Sequence, residues 1–169
     1  VGEASILEPS TSNKLLMNAR NDAASPSRLQ AISNDGGVTW SIASLVSTMP
    51  QAPATGQLIR LKSNLIAFVT SRDETSVVKK QIALYTSTND GTSWTFDKII
   101  FYRSVDRCSI VALNDNHMVL AFENSLNNLA TALRASNFAA KNYHSISLVR
   151  FNRVWLQNMS AVIYAEWFF

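Results

Sequence analysis

Cysteine is almost absent. Cys108 is the single thiol in 169 residues. That excludes a disulfide framework and a cysteine-ligated zinc site, and it leaves the redox compartment unread. Histidine is nearly as scarce. His117 and His144 stand far apart without ligand spacing and read as surface or loop residues, so no metal and no cofactor is expected. Charged residues make up only 16% of the chain, too few for a disordered polymer, while 47% hydrophobic residues supply a core. The net charge of +3 is spread over scattered residues such as Lys14, Arg28, Arg60, Lys62 and Arg72, and only Lys79–Lys80 form a pair. No basic run or aromatic-basic stripe points to nucleic acid. No apolar stretch approaches the roughly 20 residues that span a bilayer. The most apolar one, Met159–Phe169, reads as a terminal strand or a buried tail. There is no visible signal peptide, and the opening Val1-Gly2-Glu3 reads as a processed chain or an excised piece.

What is present is a rhythm. Short apolar runs recur about every ten residues, broken by Asn, Asp, Gly, Ser and Pro, which predicts strands joined by tight loops. Strands are expected near Ser5–Leu7, Lys14–Ala19, Arg28–Ile32 and Ser41–Val46. A second group is expected near Gln57–Leu61, Leu65–Thr70, Gln81–Thr86 and Thr95–Phe101. A third is expected near Ser109–Leu113, Met118–Phe122, Leu129–Arg134 and Ile146–Phe151, with Leu129–Ala140 alternatively a short helix. Met49–Gly56 reads as the link between the first two groups, and no linker is long enough to divide independent domains.

Two turns repeat. Ser33-Asn34-Asp35-Gly36-Gly37-Val38-Thr39-Trp40 and Ser87-Thr88-Asn89-Asp90-Gly91-Thr92-Ser93-Trp94 place their tryptophans 54 residues apart. A period near 50 with four strands per unit is the signature of propeller blades. The Asp or Asn side chain can hold the turn by accepting backbone N–H groups. Glycine admits a positive φ, and the tryptophan ring packs on the blade. Asp35 therefore reads as structural rather than catalytic.

These turns match the Asp-box pattern Ser/Thr-x-Asp-x-Gly-x-Thr/Ser-Trp, and the chain resembles the C-terminal half of the sialidase (neuraminidase) family of BNR-repeat propellers. Leu15–Arg20, Gln51–Arg60, Ser109–Glu123 and Ser147–Leu156 are similar to family segments. The resemblance implies an all-β fold: about three four-stranded blades of a six-bladed β-propeller over residues 1–156, with an apolar tail over 157–169. It also implies a glycoside hydrolase that uses a tyrosine nucleophile, an activating glutamate and an arginine clamp on the sugar carboxylate. Glu3 matches the activating glutamate and Arg20 the second clamp arginine. The third arginine falls at Lys79 or Lys80, where lysine keeps the charge but loses the bidentate fork. Arg107 stands at the nucleophile position, and arginine cannot attack an anomeric carbon. Tyr102 is the alternative nucleophile if the loop is shifted.

Each assignment has a plainer rival. Glu3 can be a frayed terminal residue, Arg20 an ordinary surface arginine, and Asp106–Arg107 an exposed loop pair. On the family reading, Glu3, Arg20, Lys79 or Lys80 and Arg107 converge near the propeller axis, and Glu3 pairs with Arg107. The expected function is a sialidase-like glycoside hydrolase fragment that does not catalyse as this chain; the alternative is a non-catalytic Asp-box module that binds glycan or protein. The expected partner is a sialoglycan or other carbohydrate, with no nucleic acid and no membrane span. A three-blade arc also has open edges, which predicts self-association or docking of missing blades. The compartment is left open, with a secreted or extracellular setting as the expectation; Asn158-Met159-Ser160 fits a glycosylation sequon there.

Overall fold

The computed structural model describes residues 2–9, 13–22, 27–50, 54–62, 64–72, 81–101, 105–114, 117–124 and 145–152. Among them every regular element is a β-strand. The first sheet is a meander of β1 (Gly2–Leu7), β2 (Leu15–Arg20), β3 (Ser27–Ser33) and β4 (Ser44–Pro50). The second repeats it with β5 (Gly56–Lys62), β6 (Leu65–Arg72), β7 (Gln81–Ser87) and β8 (Thr95–Phe101). The third has β9 (Val105–Asn114), β10 (His117–Asn124) and β11 (Ser145–Asn152). All neighbouring strands pair antiparallel.

The first strands of successive sheets lie beside one another, β1 against β5 and β5 against β9. The sheets therefore fan out from a common inner edge as blades do, and the arrangement is a partial β-propeller. Side chains, not a backbone ladder, stitch this edge together. The Leu58 amide donates to Ser5 Oγ at 3.0 Å. Gln57 Oε1 accepts from Ser109 Oγ at 2.9 Å and from the Ile110 amide at 2.8 Å.

Burial follows the stacking. In the middle sheet Leu65 to Ser71 of β6 are all buried, because both faces of that sheet are covered. Leu16, Met49, Leu58, Ile66, Phe68, Ala83, Tyr85 and Trp94 form the core between the first two sheets. A second core, including Ala67, Val69, Ile82, Leu84, Ile110, Leu120 and Phe122, fills the space between the second and third.

Several strand assignments differ from the sequence reading: β1 begins at Gly2 and β9 at Val105, so Arg107 lies in a strand and not in a loop. β4 begins at Ser44 and absorbs Met49 and Pro50, which the sequence placed in the linker. Proline is tolerated there because β4 is an outer strand with one unpaired edge. In the third sheet β11 pairs directly with β10, so it holds the third place and not the fourth. The expected strand at Leu129–Arg134 and the tail over 157–169 lie outside the described residues.

The two turns share one set of bonds. In the first, Ser33 Oγ donates to Asp35 Oδ1 at 2.7 Å and accepts from the Gly37 amide at 2.8 Å. Asp35 then accepts from the Thr39 amide at 2.9 Å and from Thr39 Oγ1 at 2.5 Å. The second repeats the pattern with Ser87, Asn89, Gly91 and Ser93. Asn89 Nδ2 donates to Ser93 Oγ at 2.8 Å, so the amide reverses the direction of one bond and keeps the turn. Gly37 and Gly91 take positive φ, at 95° and 81°.

The tryptophans fare differently. Trp94 is 6% exposed, edge-on to Phe68 at 6.2 Å. Trp40, expected to be buried as well, is only half-buried. Trp94 has the first sheet on its far side, whereas no described sheet covers the corresponding side of Trp40. Trp94→Ala should therefore cost about 3–5 kcal/mol and Trp40→Ala about 1 kcal/mol, read from urea midpoints of the two variants.

Asp35 supplies a pH prediction. The bonds from the Thr39 hydroxyl and amide and from Ser33 hold its carboxyl down at about 2, against an ordinary value of 3.8. The contribution of this carboxylate to stability is complete above pH 3.8 and is lost as the pH falls toward 2. Asp35→Asn, imitating Asn89, should flatten the stability-versus-pH curve in that window. The check is a series of denaturation midpoints from pH 5 down to about 2.

Candidate functional site

The inner strands begin at a common end. Ser5 is level with Leu58, and Gln57 is level with Ser109 and Ile110. Counting back two residues from Ser5 and from Ser109 sets Glu3 of β1 and Arg107 of β9 at that same end. Both lie where the pairing register slips. The β1–β2 ladder shifts between Gly2 and Ala4, around Glu3. The β9–β10 ladder shifts between Cys108 and Val105, around Arg107. A bulge releases its extra residue from the alternation and re-aims the side chain. Glu3 and Arg107 are both exposed.

Glu3 has a partner, and it is Arg20. Arg20 Nη1 lies 3.0 Å from Glu3 Oε2. Its Nε lies 2.8 Å from Asp22 Oδ1. One guanidinium is thus gripped by two carboxylates, and the three groups carry a net charge of −1. Gly2 makes the fold-back feasible, since a Cβ there would fall 2.5 Å from Arg20 Nη2. The Arg20 hydrogen bond is the largest cause holding the Asp22 carboxyl below its ordinary range. The expected Glu3–Arg107 pair does not occur among the described residues. Lys79, Lys80 and Tyr102 lie outside the described residues.

Beneath this group is a residue that the sequence reading counted only among the scattered basic ones. Arg28 of β3 is wholly buried. Its Nε donates to Asn18 Oδ1 at 2.5 Å and its Nη1 to the Ala54 carbonyl at 3.1 Å. The guanidinium carbon stands 5.0 Å from the centre of the Phe68 ring. Its Nη2 finds no partner among the described residues. Desolvation pulls the guanidinium down to about 10, with Cys108 and Glu3 favouring its charge and Arg20 opposing it. Arg28 is a polar pin between the first two sheets. Nothing in a Ser-Arg-Leu-Gln run announces that the arginine side faces inward.

Nucleophiles are few here. Burial pushes the Cys108 thiol, next to Arg107, up to about 12, so it carries no useful thiolate near neutrality. Tyr85 is the one tyrosine among the described residues; it is buried in the core, and desolvation raises its hydroxyl to about 12. No group of three or more metal-binding side chains occurs among the described residues. No helix among them is long and apolar enough to cross a membrane.

No protein-family model matches the sequence, and no curated protein matches it. Solved structures do match in fold. The α-L-arabinanase of Penicillium chrysogenum, complexed with arabinobiose, is 17% identical with a TM-score of 0.64 over 95% of this chain and 48% of that one. The α-L-arabinofuranosidase arb93a of Fusarium graminearum is 19% identical with a TM-score of 0.63, over 88% and 44%. The NanB sialidase of Streptococcus pneumoniae is 16% identical with a TM-score of 0.59, over 72% and 20%. This chain spans about a fifth to a half of the length of these propeller-type glycoside hydrolases. At such identity the likeness is one of fold.

The carboxylate grip on Arg20 has a direct test. Arg20→Ala should let the Asp22 carboxyl rise back toward 3.8, followed by side-chain carboxyl shifts in an NMR titration. An unmoved Asp22 would show that the guanidinium is not what lowers it.

Proposed function

We propose that this stretch belongs to a carbohydrate-directed propeller of sialidase-like glycoside hydrolase descent, and that it does not hydrolyse glycosides by itself. The observation that carries the proposal is Glu3 joined to Arg20 at the common end of the inner strands. In the sialidase reading these are the activating glutamate and a clamp arginine, and the two Asp-box turns stand away from them. The fold likeness to a sialidase and to arabinan-cleaving enzymes supports a sugar as the ligand class.

Two features argue against turnover. The position of the tyrosine nucleophile is Arg107, and a guanidinium has no group that can attack an anomeric carbon. Neither Cys108 nor Tyr85 can replace it, because burial holds both protonated. Arg20 is also less available than a clamp arginine should be. A sugar carboxylate must share its guanidinium with Glu3 and Asp22, and like charges crowd that site. Weak binding of an acidic or neutral sugar without cleavage is the consistent outcome. A non-catalytic Asp-box module for glycan or protein is the second reading, and the exposed Arg107 in place of a nucleophile favours it.

The chain should release no aryl alcohol from an aryl sialoside or from an aryl arabinofuranoside. In saturation-transfer NMR, N-acetylneuraminic acid should give a weak signal that Arg20→Ala abolishes. Turnover that disappears in Arg20→Ala would overturn the non-catalytic reading and point to Tyr102. A sugar signal indifferent to Arg20 would remove the site assignment.

A further inference from the structure

The two tryptophan turns are one device caught in two states. In the second turn the Trp94 indole N–H donates to Gln30 Oε1 at 2.9 Å. The Gln30 amide in turn donates to the Gly91 carbonyl at 2.9 Å. A single carboxamide from the neighbouring sheet thus satisfies both the ring donor and the turn acceptor. In the first turn the equivalent groups are Trp40 Nε1 and the Gly37 carbonyl, and they bond to each other at 3.1 Å. No carboxamide from the described residues stands between them.

The apolar surroundings differ in the same sense. Leu16 of the first sheet packs so closely on Gly91 that a Cβ there would meet its Cδ2 at 2.5 Å. At Gly37, the equivalent glycine, a Cβ would meet among the described residues only groups of its own sheet, Leu15 Cδ1 at 3.1 Å and the Trp40 ring at 3.9 Å. Trp40 and Gly37 thus hold in the first sheet the places that Trp94 and Gly91 hold where the second sheet meets the first.

We propose that the Trp40–Gly37 pair is a socket for a carboxamide side chain. Its occupant is the β-sheet preceding β1 in the full protein, presenting glutamine or asparagine from its third strand and leucine from its second. The direction follows from the arc. The second sheet sets its turn on β3, the third strand of the sheet just before it in sequence, and the sheets stack in sequence order. A second copy of this chain cannot fill the role, because its own Gln30 is already engaged by Trp94 and Gly91.

Two measurements test the proposal, both reading indole N–H exchange in protein labelled with ¹⁵N-tryptophan. In the present chain, Gln30→Ala should speed exchange at Trp94 about tenfold, to the rate seen at Trp40. Unchanged exchange at Trp94 overturns the socket. In the second, a duplicate of residues 2–55 is placed ahead of Gly2 as a surrogate sheet that supplies Leu16 and Gln30. Exchange at Trp40 should then slow about tenfold, and Gln30→Ala in the added segment alone should restore the original rate. Unchanged exchange at Trp40 in the extended chain overturns the assignment of the occupant. So does protection of Trp40 that appears in the original chain on concentration, through dimers.

Discussion

The middle sheet cannot exist alone. β6 buries every residue from Leu65 to Ser71, so both of its faces are apolar and both must be covered. A strand of that composition is stable only between two other layers. The first and third sheets are those layers, and the two cores are the two faces of one strand divided between neighbours. The stacking of the three sheets follows from this two-sided demand, and the bonds among β1, β5 and β9 set their register.

Polar groups refine what the apolar faces begin. Arg28 and Gln30 project from β3 toward the second sheet, one over Phe68 and the other to Trp94 and Gly91. A buried guanidinium without an acid in contact is costly. Here Asn18 and the Ala54 carbonyl take two of its donors, and the ring face of Phe68 takes part of its charge. Such groups accept one relative placement of the sheets, whereas an apolar contact accepts several.

The sequence showed some of this plainly. The turns at Ser33–Trp40 and Ser87–Trp94 were legible because their bonds run within a few residues of one another. Most strands were legible because apolar runs and turn residues alternate at short range. The pairing partner of β11 was not, since strand rank depends on contacts across the chain and not on order. Met49 and Pro50 looked like linker because proline breaks inner strands, and only the outer position of β4 makes it harmless. At the site, the family resemblance singled out Glu3 and Arg20 but paired Glu3 with Arg107, whereas its observed partner is Arg20. The second carboxylate, Asp22, and the buried Arg28 were not legible, because the first depends on a local fold-back and the second on which face of β3 meets a neighbour.

In the first two sheets the described strands pair only with their neighbours in sequence. Hairpins of this kind close small loops, so their formation asks little of chain diffusion. The contacts between sheets come later in the chain: Gln30 has no partner until Gly91 and Trp94 exist. During synthesis the first sheet can register its hairpins as it emerges, yet the Gln30 side chain on its inward face waits some 60 residues for Gly91 and Trp94. The ribosome therefore releases a half-dressed surface, and the second sheet is the template that finishes the first.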